Sequence, residues 1–409
     1  MTRKPATVVT ALAAALMSSQ IALMAVPATI VDLAREWSLD AAEIGWLGGI
    51  YFAGYAAGLP FLAGIAGRMD GRFVYALSAV IAAAASFGFA MVADGFWPGL
   101  VLRLIGGVGF SGIHIVGMKL MADRLSGRAQ ARAGAFYSAA YAVGSGSSFL
   151  IAGPIASSLG WPAAFVTAGL GSLLAIPLVF AIGAPLPDHE VRSTRWLPDF
   201  RAVFAMPETL RYIIAYGGNT WEVFAMRVWF VPLLAFNAGL HATGAHGMNL
   251  SVLAGVSAIV SVPVSIVVAE LGIRFGRERV VRAVSLASIA VAVALGSFAS
   301  SSFLVVLALL MLHGASSYGD AGTINGGLMV ASRPETRSAA LALFGLFGFI
   351  AGFLGPLAVG LTLQASGGTS SPAAWFAALL VIGFGSVVSA GAMSRFGRPV
   401  DPPSGRPPR

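Results

Sequence analysis

The chain has 409 residues, of which 57% are apolar and only 10% charged, and it carries a formal charge of +8 with no cysteine. A mean hydropathy of +0.83 excludes an ordinary soluble enzyme, and the missing cysteine excludes disulfides, iron–sulfur clusters and thiol nucleophiles. The positive balance would suit nucleic acid, but the placement of the charges points to a membrane instead, and no nucleic-acid partner is expected.

Twelve apolar stretches divide the chain, at about 7–31, 43–67, 72–93, 98–121, 131–155, 162–184, 208–238, 245–272, 279–300, 303–329, 337–363 and 372–394. Roughly twenty apolar residues in a helix cross the hydrocarbon of a bilayer. Lipid offers no partner for an open backbone, so the spans must be helices. Residues 1–31 begin like a signal peptide, but the run is too long for one and reads as an uncleaved first helix. Of the 25 Lys and Arg, all but Arg35, Arg103 and Arg227 lie on one side, before the first span, in or at the edge of alternate connections, at helix ends (Lys119 and Arg211) or after the last span. Basic loops stay in the cytoplasm, so both termini are expected there, in a multi-pass protein of a bacterial inner membrane. The predicted fold is all-α, with a six-helix bundle over 1–184, a linker over 185–207 rich in Pro and Arg, a second bundle over 208–396 and a tail over 397–409.

The halves look like a repeat. Gly67 to Arg72 and Gly272 to Arg277 both read G-x-x-x-G-R between equivalent spans. Gly153-Pro154 answers Gly355-Pro356, and Pro162-Ala-Ala answers Pro372-Ala-Ala, each pair separated by about half the chain. An even number of spans per half gives both halves the same orientation, a parallel repeat about the membrane normal.

Charges within the spans single out the candidate site. A charge at mid-bilayer costs roughly 2.5–3.5 kcal/mol, so such groups face the bundle interior or a wet cavity. In the tenth span His313, Ser316, Ser317, Asp320, Thr323 and Gly327 share one face. Asp320 reads either as a proton-coupling carboxylate or as the permanent partner of a buried Arg. In the seventh span Asn219 and Glu222 share a face, while Arg227 points about 140° away from Glu222. Glu222, Asp320 and His313 are the proton-coupling candidates. Gln20, Arg103, His114, Asn219, Trp221 and Arg227 are the substrate-contact candidates. Arg103 could instead bond backbone carbonyls of another helix, and His114 could be an ordinary packed imidazole. No phosphate-binding loop or hydrolase motif is present, so a gradient rather than ATP would drive any transport. No cofactor, metal or enzymatic activity is expected.

The stretch Gly64-Ile-Ala-Gly-Arg68-Met-Asp70-Gly71-Arg72 resembles the G-x-L-x-D-R-x-G-R loop of the major facilitator superfamily, with Arg68 at the usual Asp position. Arg103 and Gly107 are similar to that family's R-x-x-x-G motif, Gly153-Pro154 to its G-P-x-x-G-G motif with Ser157 and Ser158 at the glycine pair, and Gly160-Trp161 with Phe165 to its G-W-R-x-x-F. The seventh span resembles a stretch in cyanate- and nitrate-type permeases of the family. The resemblance implies two six-helix bundles around a central cavity and secondary transport by alternating access. It also implies that the loops holding Asp70, Arg72, Arg274 and Arg277 latch the halves in the outward-open state. A monomer that carries a small organic or inorganic anion with protons is the favoured reading. Proton-driven efflux of lipophilic drugs or metabolites is the alternative, and a non-transporting scaffold on the same fold is a third.

Overall fold

A computed structural model describes residues 5–184, 200–241 and 247–394. Most of the expected linker and all of the tail, with Arg192, Arg195, Arg395, Arg398, Arg406 and Arg409, lie outside the described residues, as do Arg3, Lys4, His189 and His246. Twelve helices long and apolar enough to cross a membrane are present among the described residues. They are α1 (Pro5–Glu36), α2 (Ala41–Ala66), α3 (Gly71–Val92), α4 (Phe96–Ala122), α5 (Gly127–Leu159) and α6 (Trp161–Phe180) in the first half. The second half holds α7 (Pro207–Leu240), α8 (Leu250–Phe275), α9 (Arg277–Ser297), α10 (Phe303–Ala331), α11 (Arg337–Ala365) and α12 (Pro372–Ala392).

Local chemistry sets the helix ends. Asp40 and Glu43 form a reciprocal capping box that starts α2. The Asn249 side chain accepts amides at the start of α8, and Ser371 with Pro372 starts α12. Gly160 (φ +84°) and Gly276 (φ +94°) turn the chain between α5 and α6 and between α8 and α9, a conformation open to glycine.

Two helices expected to be continuous are broken. In α1 the α-helical pattern gives way at Gln20–Ala22 to a short 3₁₀ turn and resumes at Ala25. In α10 it stops at Gly319 and restarts at Ala321, with Asp320 in the turn. A break inside lipid is tolerated only when the freed backbone groups find partners. Ser148 of α5 accepts the Met24 amide at 3.1 Å and donates to the Ile21 carbonyl at 2.7 Å. Ser265 of α8 accepts the Gly322 amide at 3.1 Å. Neither break shows in hydropathy, because the partners come from distant spans.

The halves meet along two seams, α2 on α11 and α5 on α8. Small residues bring the backbones together at the end away from the basic loops. A Cβ on Gly45 would lie 2.7 Å from the Pro356 carbonyl oxygen, and one on Gly360 would lie 2.4 Å from the Ala41 carbonyl oxygen. Gln364 accepts the Ala41 amide at 3.2 Å. On the other seam Ser251 of α8 donates to the Ala28 carbonyl at 2.6 Å, and Asn249 donates to Ser157 at 3.2 Å. This end is therefore shut. Gly45→Val is expected to prise it open, since overpacking of roughly 1–3 kcal/mol shifts a two-state population by about 5- to 100-fold. The check is the labelling rate of a single cysteine at Ala41, a buried position, with a water-soluble maleimide in this cysteine-free chain. An unchanged rate would show that this seam does not gate access.

Candidate functional site

The central cavity lies between the halves at mid-helix and is lined by Phe149 of α5, Val223, Met226, Arg227 and Phe230 of α7, Ala254, Ser257, Ala258 and Ser261 of α8, and Gly314, Ser317 and Tyr318 of α10. Its volume is about 30 Å³, room for water rather than a substrate. Arg227 is the one charged side chain in that lining. Its Nη1 donates to Ser145 of α5 at 2.6 Å, a bond across the two halves. That is the one hydrogen bond of this guanidinium among the described residues, although the side chain is buried. Its charge is instead covered by aromatic faces, with Tyr318 at 5.5 Å and Phe224 at 5.8 Å from the guanidinium carbon. A guanidinium with spare donors in a small, largely apolar and aromatic cavity is suited to an anion.

The aromatic shell continues into the first half. Tyr55 stacks on Phe349 at 3.5 Å, and Phe52 packs on Phe224 at 4.1 Å. The Tyr55 hydroxyl bonds His114 Nδ1 at 2.7 Å, and the imidazole stacks on Tyr141 at 4.7 Å. His114 thus stands in an aromatic stack beside the cavity, and it is not among the cavity's lining residues.

A second polar cluster lies inside the C-terminal bundle. Glu222 of α7 accepts the Ser288 hydroxyl of α9 at 2.7 Å on Oε1 and the Ser386 hydroxyl of α12 on Oε2. His313 Nε2 of α10 lies 3.0 Å from Glu222 Oε1 but off the line of a hydrogen bond, and its Nδ1 has no partner. Ser316 donates to Ser288 at 3.1 Å and so extends the chain of hydroxyls. Asp320 accepts Asn219 Nδ2 at 2.7 Å and Ser285 at 3.3 Å. The same Asn219 nitrogen donates to the Ser317 carbonyl at 2.7 Å. The structure therefore joins Glu222, His313, Asp320 and Asn219 in one buried unit. It corrects two expectations: Asn219 holds Asp320 rather than facing the cavity, and the groups bonded to Asp320 are neutral rather than a buried Arg. The unit touches the cavity through α10, because Ser317 and Tyr318 line it two or three residues from Asp320.

The geometry places three further candidates. Arg103 donates to the Ala22 carbonyl at 2.7 Å and the Leu23 carbonyl at 3.3 Å, and lies 4.3 Å from the Tyr51 ring. It caps the break in α1 inside the first bundle and does not line the central cavity. Arg103→Ala would strand two buried carbonyls, at about 1–3 kcal/mol each, so a drop in thermal stability of roughly 2–6 kcal/mol is expected. Thermal unfolding of purified protein checks it; a loss of ligand affinity without a loss of stability would return Arg103 to the binding site. Gln20 is buried, with both amide atoms unpartnered. Its Oε1 sits on Gly144, where a Cβ would lie 2.1 Å away. Trp221 faces away from the centre and donates to the Val381 carbonyl at 2.9 Å. It lines a lateral apolar groove of about 330 Å³ with Gly217, Phe347, Leu354, Phe384 and others.

The loop arginines are engaged within their own halves. Arg72 holds Asp70 at 2.7 Å and lies over Phe180, and Arg124 donates to the Gly183 carbonyl at 3.0 Å. Arg277 Nε lies beside Gly326, and Arg274 lies over Phe275. The expected latch from these four residues to the opposite half is not made in this conformation. Burial would raise the Asp70 pKa, but hydrogen bonds from the Arg72 side chain and amide outweigh it and hold the carboxyl below its ordinary 3.8. The pair therefore stabilises the loop above pH ~4, and the contribution fades as pH falls through the lowered value.

Ser145, Tyr141, Tyr318, Phe224, Ser285, Ser288 and Ser386 were absent from the sequence reading. A tyrosine deep in a span was the signal available, since Tyr favours the membrane interfaces. No group of three or more acidic, His or Cys side chains among the described residues could hold a metal.

The whole-chain architecture matches solved transporters. A bacterial homologue of the human lysosomal transporter Spinster, in an inward-facing and occupied conformation, superposes with a TM-score of 0.77 at 17% identity over 96% of each chain. The nucleoside transporter NupG superposes with a TM-score of 0.72 at 16% identity, over 94% of this chain and 98% of that one. A niacin transporter, NiaP, from Acinetobacter baylyi (strain ATCC 33305 / BD413 / ADP1) is 25% identical over 158 residues, 39% of this chain and 36% of that protein. The chain thus matches little more than a third of that relative's length. Residues 8–246, more than half of the chain, match the model of the Major Facilitator Superfamily, and with its twelve spans the chain belongs to that superfamily of transporters.

Proposed function

We propose that the chain is a secondary transporter that carries a small organic anion across a bacterial inner membrane by alternating access. One observation carries this reading: Arg227 is the single charge on the wall of the central cavity, and most of its donors are uncommitted. The bundles over 1–184 and 208–396 act as the two moving bodies, with the basic loops and both termini on the cytoplasmic side. The shut seam then faces outward. An anion arriving at Arg227 competes with Ser145 for Nη1, so binding loosens one bond between the halves. Protons are taken up and released by the unit of Glu222, His313 and Asp320, where the serine hydroxyls can donate or accept and the Asn219 amide nitrogen donates to the Asp320 carboxylate. The partial likeness to a niacin transporter favours an organic acid over an inorganic anion.

The test is counterflow uptake by purified protein in proteoliposomes, with labelled lactate, benzoate and nitrate beside a lipophilic cation, with and without an imposed proton gradient. Uptake of an organic anion supports the proposal. Movement of the lipophilic cation alone would select efflux, the second reading, which the lateral groove beside Trp221 favours because its walls are apolar.

A further inference from the structure

We infer that the anion held at Arg227 is an aromatic monocarboxylate, its ring packed among the aromatic side chains around the guanidinium in a cavity that widens from its present volume of about 30 Å³ to take it. The inference rests on the anion reading and adds the nature of the rest of the molecule.

Three features point to it. A carboxylate paired fork to fork with an arginine lies in the guanidinium plane. In an aromatic acid the ring continues that plane by conjugation. Aromatic surface is at hand for that ring: Tyr318 lies 5.5 Å and Phe224 5.8 Å from the guanidinium carbon, and Phe149 and Phe230 line the same cavity. A saturated ring or a branched chain cannot hold that plane. The rest of the lining is apolar (Phe149, Val223, Met226, Phe230) with only serine hydroxyls between, and it offers little to a sugar.

The second feature is a hydroxyl with nothing to bond. The Tyr141 phenol oxygen is buried without a partner, and it is electrostatically coupled to both Arg227 and Tyr318. A buried donor without an acceptor is uncommon in a finished site. Tyr141 does not line the present small cavity, so it reaches a carboxylate at Arg227 as the site widens on binding, and then becomes its second ligand. The His114 ring stacks on Tyr141 at 4.7 Å and is itself tied to Tyr55, which fixes the phenol's position.

The third feature sets the number of charges. Arg227 is the lone cation in the lining, so a second carboxylate would be buried without a counter-charge. Dicarboxylates are therefore rejected.

The experiment measures competition by benzoate, cyclohexanecarboxylate and phthalate against labelled benzoate counterflow, using the full-length wild-type protein. Benzoate is expected to bind roughly 3- to 10-fold more tightly than cyclohexanecarboxylate, the scale of an aromatic pair beyond its buried area. Phthalate is expected not to compete. Tyr318→Leu should bring the ratio of the two monocarboxylates towards one. Tyr141→Phe, which keeps the ring and its packing, should weaken both by the same factor of roughly 3 to 10. Equal or tighter binding of cyclohexanecarboxylate by the wild type would overturn the aromatic inference and leave the anion reading standing. No counterflow of any carboxylate, with transport of the lipophilic cation, would overturn both.

Discussion

Arg227→Ala is expected to weaken carboxylate binding by about 30- to several-thousand-fold, the consequence of losing roughly 2–5 kcal/mol when one partner of a buried charge pair is truncated. The reason lies in the cavity wall, where no other side chain could neutralise a carboxylate once the guanidinium is gone. Arg227→Lys keeps the charge but loses the fork and the flat face, so an intermediate loss of about tenfold is expected. Ser145→Ala should act the other way and modestly tighten binding, because Nη1 is released from its competitor. Affinity is read from the concentration dependence of benzoate counterflow. If Arg227→Ala transports benzoate with unchanged affinity, the arginine is a strut between the halves and not the anchor.

Glu222→Gln should separate transport from its driving force. In the wild type Glu222 accepts two hydroxyls and faces His313, so a proton can reside on the carboxylate, on the imidazole or on neither. The amide removes one of those states while nearly keeping volume and acceptor. Exchange of anion for anion needs no net proton movement and should persist. Accumulation driven by an imposed proton gradient should fall at least about tenfold, the scale of removing a positioned proton-transfer group. Both are measured in the same vesicles. Retained accumulation would mean that the cluster only binds the helices of the C-terminal bundle together. Asp320→Asn should behave similarly but more mildly, since Asn219 and Ser285 remain as partners. Glu222→Ala is the poorer test, because it leaves the His313 imidazole buried without its partner and the fold itself would suffer.

The large-scale architecture was open to sequence reasoning because it rests on additive properties. Hydropathy over twenty residues counts spans, and the two glycine–arginine loops mark the repeat. The buried unit was half legible: the spacing of Asn219 and Glu222, and of His313 and Asp320, places each pair on one helix face, which the structure retains. What periodicity cannot supply is the neighbour across the face. Ser285, Ser288 and Ser386 look like ordinary small residues until α9 and α12 bring them to the carboxylates. Arg103 shows the same limit. Its alternative role as a ligand of backbone carbonyls was foreseeable in kind, but the carbonyls are free only because α1 breaks at Gln20–Ala22, and the polar Ser18-Ser19-Gln20 in that run marks the place without revealing a break. Sequence position alone assigns Trp221 and Asn219 to the substrate because they flank Glu222. Rotation about the helix sends one to the outer groove and the other to Asp320. The tyrosines were overlooked because hydrophobic patterning counts them as core. Tyr141 and Tyr318 matter for the reverse reason, as polar tips placed among apolar and aromatic side chains.

The most direct measurement of whether the anion binds between the halves uses the lack of native cysteine. A single cysteine replaces Ser145, the hydroxyl now bonded to Arg227. Its reaction with a membrane-permeant maleimide is timed in proteoliposomes with and without saturating benzoate. Bound carboxylate is expected to slow labelling severalfold, and to do so only while Arg227 is present. An equal rate with and without benzoate, in vesicles that still transport it, would place the anion elsewhere and contradict the account.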